Sequence, residues 1–448
     1  MSNKVNGYEG LSPEEKREMR RQRRIRNLIW AYIGLILVLA GLILGGVFGV
    51  RALTKFIEER QGNTFREEII PESIPESWEE DVQFMEEETE VSVQPDTSRL
   101  LDEIIEARIS EMTLEEKVAG LFIVRPEDIT GVDTAIQAGE GTKEALQNHP
   151  VGGIIYFNQN IKSEEQIKEM LANTASYSNT PLFLAVDEEG GQVSRLARAL
   201  KLDNVGNMAD IGATGDSNQA YEAMVKVGSY LNSYGFNLNF APVADVLTNP
   251  NNEAIGDRSF GGETGVVADM VAAAANGLKD TGITACLKHF PGIGSAEGDT
   301  HNGLVVVDRS PEELKQEELL PFIRGIEEGV PMIMVGHIAL PQIVGDNTPA
   351  SMSSAVISDL LRGELGFNGV VITDAMDMGA ITEYYGADQA AIMALRAGAD
   401  MILMPEDYEV AFEGVVTAVL DGTISEERIN DSLTRVYRIK YADSVAAE

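Results

Sequence analysis

The sequence predicts an α/β protein: a single (β/α)8 barrel of the TIM type, preceded by one N-terminal transmembrane helix and a disordered acidic stalk. Three observations carry the barrel. Eight short apolar runs recur after residue 100, amphipathic segments lie between them, and ionisable residues gather where the runs end. Alternation of that kind marks strands and helices of a parallel sheet. A doubly wound open sheet uses the same units, and the count of eight favours the barrel.

Taken in chain order, residues 1–27 form a basic tail, with Lys16, Arg17, Arg20, Arg21, Arg23, Arg24 and Arg26 crowded before an apolar run at 28–50 that carries no charge. About 23 helical residues span about 34 Å, enough for the hydrocarbon core. The positive-inside rule then holds the N-terminus in the cytoplasm, so the expected location is the cell membrane, single-pass, with the rest of the chain extracellular. Trp30 and Tyr32 suit the interface at that end. The run is too long for a usual signal-peptide core, and no clear A-x-A site follows it. Residues 51–98 are an acidic linker, rich in Glu and Asp and interrupted by Pro71, Pro75 and Pro95, with little that could build a core.

The remaining region, 99–448, is long enough for a barrel with extended loops. Its candidate strands are 121–124, 153–157, 182–186, 236–242, 285–290, 332–337, 370–373 and 401–404. Helical spacing fills 218–234, 264–279, 311–327, 354–365 and 388–396. The apolar share, 44% of 448 residues, is that of a globular protein with a sizeable core. A formal charge of −37 argues against a nucleic-acid partner, which would be bound by neutralising phosphates. Cys286 is the only cysteine, so there is no internal disulfide and no lipid attachment site near the membrane.

In a parallel barrel all C-terminal strand ends face one side, so residues far apart in sequence converge there. Asp187-Glu188-Glu189-Gly190-Gly191, Lys288-His289-Phe290-Pro291-Gly292, Gly336-His337 and Thr373-Asp374 all stand at such ends. Singly, an Asp after a strand is often a helix N-cap and a lone His often a core residue. Four such ends in one barrel point to an enzyme.

The stretch Lys288-His289-Phe290-Pro291-Gly292 running on to Asp299-Thr300-His301 resembles the signature of glycoside hydrolase family 3, in its bacterial β-N-acetylglucosaminidase branch. Three further motifs in the same order are similar: Asp187 to Arg195, Asp257-Arg258-Ser259-Phe260-Gly261, and Ile372-Thr373-Asp374-Ala375-Met376-Asp377-Met378. One departure is Ile293, where many members carry histidine, which bears on the loop's conformation.

The resemblance implies a retaining β-N-acetylhexosaminidase acting on a carbohydrate, with Asp374 as nucleophile and His301, oriented by Asp299, as acid/base. It also implies that Asp187, Arg195, Arg258, Lys288 and His289 hold the sugar before the scissile bond; His337 is a weaker candidate. Retention requires an attacking carboxylate and a proton donor that later becomes a base, and an imidazole can serve as the second. Asp377 could compete as nucleophile, but Asp374 sits directly at the strand end. No cofactor or metal is expected, because the histidines lack the paired spacing of a strong zinc site. A β-glucosidase, a phosphorylase of the same fold and a non-catalytic tethered carbohydrate sensor are the alternatives. Cell-wall glycans of the peptidoglycan type are the expected substrate for an outward-facing member of this branch.

The topology is checked with protease added to intact protoplasts. Cleavage of the barrel is expected; cleavage only after lysis would reverse the orientation.

Overall fold

The computed structural model describes residues 97–442. The expected tail, transmembrane helix and all but the last two residues of the linker lie outside the described residues. Among the described residues no helix is long and apolar enough to cross a membrane.

All eight expected runs form strands: β1 (Phe122–Val124), β2 (Gly153–Ile155), β3 (Phe183–Val186), β6 (Leu238–Asn239), β7 (Thr284–Phe290), β8 (Met332–Val335), β9 (Val370–Ala375) and β10 (Met401–Leu403). A short hairpin, β4 (Glu188–Gly190) with β5 (Val193–Ser194), stands just beyond β3. The eight long-range strands pair in parallel and close in the order β1-β10-β9-β8-β7-β6-β3-β2, so the open sheet is excluded. Their residues are buried on both faces, as in Phe122-Ile123-Val124. That is why they read as unbroken apolar runs instead of alternating ones.

Two elements differ from expectation for visible reasons. The run at 236–242 yields a short β6 because Pro242 has no N–H to give; its carbonyl still accepts from the Lys288 N–H at 3.3 Å. The helix expected at 311–327 is two, Pro311–Gln316 and Leu320–Glu327. Pro321 sits in the first turn of the second, a position that a proline tolerates and a helix interior does not. The helix expected at 354–365 runs as a π-type helix over Ala355–Glu364.

The hairpin depends on Gly190 and Gly191, both left-handed at φ 103° and 53°. A Cβ on Gly191 would lie 2.3 Å from Asn207 Oδ1, so the turn admits no side chain there. Helix Ser217–Tyr234 shows the outer ring's logic. Asp216 caps its first turn, Gly235 ends it at φ 101°, and Ala220, Met224, Val227 and Leu231 supply the buried stripe.

At the opposite end of the barrel, Asp400 precedes β10 and is fully buried. It accepts from the Val371 N–H at 2.9 Å and the Ser432 hydroxyl at 2.7 Å, and pairs with Arg362, Arg435 and Arg428. One carboxylate thus ties helix Ala355–Glu364 and helix Glu426–Lys440 to the barrel floor. Asp400→Ala would leave those guanidinium groups without their shared counter-charge, a loss expected to cost about 3–5 kcal/mol in denaturant unfolding. A loss below about 1 kcal/mol would mean that the arginines find other partners.

Candidate active site

Strand ends deliver the site. A cavity of about 480 Å³ opens at the C-terminal face, and Asp187, Glu189, Arg195, Arg258, Lys288, His289, His301 and Asp374 all line it. Of the expected residues, Asp299 stands behind His301. His337 lies behind the wall.

The densest charge sits between β3 and β7. Lys288 Nζ lies 2.8 Å from Asp187 Oδ1 and 2.6 Å from Glu189 Oε1. Glu189 also receives a bidentate pair from Arg258, Nε to Oε2 at 2.8 Å and Nη2 to Oε1 at 2.9 Å. Burial alone would discharge the Lys288 ammonium, but Asp187 and Glu189 outweigh it and raise its pKa. Burial likewise opposes the Glu189 carboxylate; Lys288 and Arg258 reverse the balance and hold it far below the usual range. Arg195 approaches Asp187 at 3.9 Å and lies over the Phe157 ring.

His289 is steered by Asp245, which is wholly buried. Its Nδ1 faces Asp245 Oδ2 at 2.7 Å, fixing that nitrogen as the donor and leaving Nε2 for a substrate. The other carboxylate oxygen accepts the Ile293 N–H at 2.8 Å. The loop after β7 is therefore anchored through the backbone of Ile293, whose own side chain packs into the core. Isoleucine in place of histidine costs the loop nothing at that anchor.

Asp374 ends β9, partly exposed to the cavity, and its Oδ1 accepts the Ala375 N–H at 2.8 Å. Burial pushes its pKa up, yet His289, His337, the Ala375 N–H and Lys288 together hold the carboxyl below the usual range. It is ionised at neutral pH. His337 Nε2 donates to the Ala375 carbonyl at 2.9 Å, and its Nδ1 meets the Ser351 hydroxyl at 2.8 Å. Burial lowers its pKa, so it is a neutral brace under the β9 end and does not reach the cavity.

His301 occupies a short 3-10 turn, Thr300–Asn302, at the mouth, with 70% of its side chain exposed. Asp299 Oδ1 takes both its N–H at 2.9 Å and its Nδ1 at 2.7 Å. Burial pushes the Asp299 carboxyl up, but those two bonds and the imidazole outweigh it and lower its pKa. The ring is oriented with Nε2 free for proton transfer.

A model of the glycosyl hydrolase family 3 N-terminal domain matches residues 113–439. The chain belongs to glycosyl hydrolase family 3. It is 35% identical over 328 residues to beta-hexosaminidase A of Pseudoalteromonas piscicida, covering 66% of this chain but 54% of that one. Against a beta-hexosaminidase of Stenotrophomonas maltophilia it is 34% identical, covering 66% of this chain and 93% of the relative. Among solved structures, a family 3 beta-N-acetylglucosaminidase from Paenibacillus sp. superposes with a TM-score of 0.69 at 38% identity, over 75% of this chain and 64% of that one.

Within this family 3 barrel, sequence reasoning placed Glu189 at a strand end without giving it a role, and passed over Asp245 and Arg125. The signal was present for each. Arg125 directly follows β1, and Asp245 lies just beyond the β6 run; the strand-end rule that found Asp374 applies to both. Asp377 was weighed only as a rival nucleophile. In the structure it is engaged by Arg125 Nη1 at 2.9 Å.

Glu189 has a depressed folded-state pKa, so its stabilisation is present above the unfolded value of about 4.3 and is lost as pH falls below it. Melting followed by calorimetry from neutral pH to about pH 3 should show wild type losing stability faster than Glu189→Gln, which starts lower at neutral pH. Parallel curves would remove Glu189 as the acid-sensitive charge.

Proposed function

We propose that the chain is a membrane-anchored, extracytoplasmic retaining β-N-acetylhexosaminidase that removes terminal β-linked N-acetylglucosamine, with cell-wall glycans as its substrate. The observation that carries the catalytic part is the ionised Asp374 at the β9 end, sharing one cavity with an oriented His301. The kinship to proteins named beta-hexosaminidase and beta-N-acetylglucosaminidase supports the choice of sugar. The basic tail and the apolar run at 28–50 support an outward-facing barrel.

In this mechanism Asp187, Lys288, Arg258, Arg195 and His289 hold the hydroxyls of the terminal sugar. Asp187 and His289 Nε2 accept; the cations donate. One Asp374 oxygen attacks the anomeric carbon as the glycosidic C–O bond breaks, and His301 Nε2 gives its proton to the departing oxygen. The product of this step is a glycosyl ester on Asp374. Water then attacks the same carbon, His301 Nε2 takes the water proton, and the Asp374 carboxylate leaves. Two inversions retain the β configuration. Asp299 keeps Nδ1 as the donor throughout and stabilises the imidazolium that begins the cycle.

Asp374→Asn should lower turnover by at least about 10³-fold on every substrate. His301→Ala should retain more activity on a nitrophenyl glycoside, whose leaving group needs little protonation, than on a disaccharide. Added azide should raise its rate and yield a β-glycosyl azide. Wild-type disaccharide turnover in His301→Ala would remove His301 from the mechanism. Release of a sugar 1-phosphate when phosphate replaces buffer would make the protein a phosphorylase, and preference for a nitrophenyl glucoside would make it a β-glucosidase.

A further inference from the structure

The cavity has a second polar wall that the sugar-binding residues do not use. Asp187, Lys288 and Arg258 stand at the β3 and β7 side, and Asp374 at the β9 end. Continuing round the barrel past Asp374, the lining residues are Asp377 and Met378 after β9, Met404 after β10 and Arg125 after β1. Arg125 is held firmly. Its N–H and Nε donate to Asp128 Oδ2 at 3.0 and 3.3 Å, and its Nη1 to Asp377 Oδ2 at 2.9 Å.

Three features of this wall are chemical. Both side chains remain about a quarter exposed, at 28% and 25%, so they face the cavity and are not sealed into a structural pair. Arg125 Nη2 and Asp377 Oδ1 have no partner among the described residues, which leaves one donor and one acceptor side by side. Met404, a non-glycine residue in the left-handed region at φ 45°, and Met378 present apolar surface next to them.

We infer that Arg125 and Asp377 form the subsite for the departing sugar, donating to one of its hydroxyls and accepting from a neighbouring one while the methionines take the C–H face of the ring. The placement rests on the proposed hexosaminidase mechanism, because Asp374 meets the anomeric carbon and the part of a substrate beyond that carbon is the leaving group. One cation between two carboxylates, Asp128 and Asp377, suits an uncharged sugar hydroxyl better than a carboxylate.

The test compares two substrates, a β-linked N-acetylglucosamine disaccharide and nitrophenyl N-acetyl-β-glucosaminide, in R125A, R125K and D377N. Nitrophenol offers no hydroxyl pair. The ratio of kcat/KM for disaccharide to that for the nitrophenyl substrate should fall about tenfold in R125A and D377N, mainly through KM, with R125K between them and wild type. D377N preserves shape, so misfolding of R125A would not hide the result. Equal losses on both substrates overturn the assignment, as does a changed preference between nitrophenyl N-acetylglucosaminide and glucoside, which would turn the pair toward the substituent at the sugar's second carbon. Calorimetric binding in an Asp374→Asn background reads the same subsite without turnover: the disaccharide should bind Asp374→Asn more tightly than the monosaccharide, and adding R125A should abolish the difference. Inactivity of wild type on both substrates would sink the proposed function, and the binding comparison would still decide the subsite.

Discussion

The site depends on one buried ammonium. Lys288 bridges Asp187 and Glu189, and Glu189 in turn holds Arg258. Charges so deep in a barrel are costly unless each is matched, and truncating one partner leaves the others unpaired. The two carboxylates come from the segment after β3, the ammonium from β7, and the guanidinium from a turn beyond β6. Closing the barrel is what brings them together, so the fold and the charge balance are a single constraint.

Asp374 has a balance of its own. A carboxyl at a strand end in a partly dry cavity would ordinarily be harder to ionise. His289 foremost, then the N–H of Ala375 and Lys288, reverse that, so the proposed nucleophile is ionised near neutrality. His301 is in the opposite situation. It sits in solvent on a short turn, oriented by Asp299. In the proposed mechanism, a donor on the mouth loop can approach the leaving oxygen after substrate has entered, which a donor rooted in a strand could not do as freely.

Asp245 and Asp400 show how the rest of the barrel supports this arrangement without entering the chemistry. Asp245 uses one oxygen to set the imidazole and the other to hold the loop backbone at Ile293. Asp400 does comparable work on the floor, joining two outer helices to β9 and β10. Each is a buried acid with donors on both oxygens, the condition under which a buried charge specifies structure.

How much of this was legible in the chain varies by element. The eight strands were readable because residues buried on both faces must be apolar without interruption, and Asp187, Lys288, His289 and Asp374 because each directly ends such a run. His301, Asp299, Arg195 and Arg258 came through a resemblance of motifs, since nothing in their spacing carries them to the cavity. Pairings were not legible. That Glu189 joins Lys288 to Arg258, that Asp245 orients His289, that His337 is a neutral brace and that Arg125 restrains Asp377 are facts of barrel closure, which sets residues 252 positions apart at hydrogen-bond distance. The sequence by itself determined the strand count and the residue types at the strand ends, because burial and strand direction are local demands on composition. Only the tertiary structure decided which charges neutralise one another, because electrostatic energy depends on distances in space that no local pattern records.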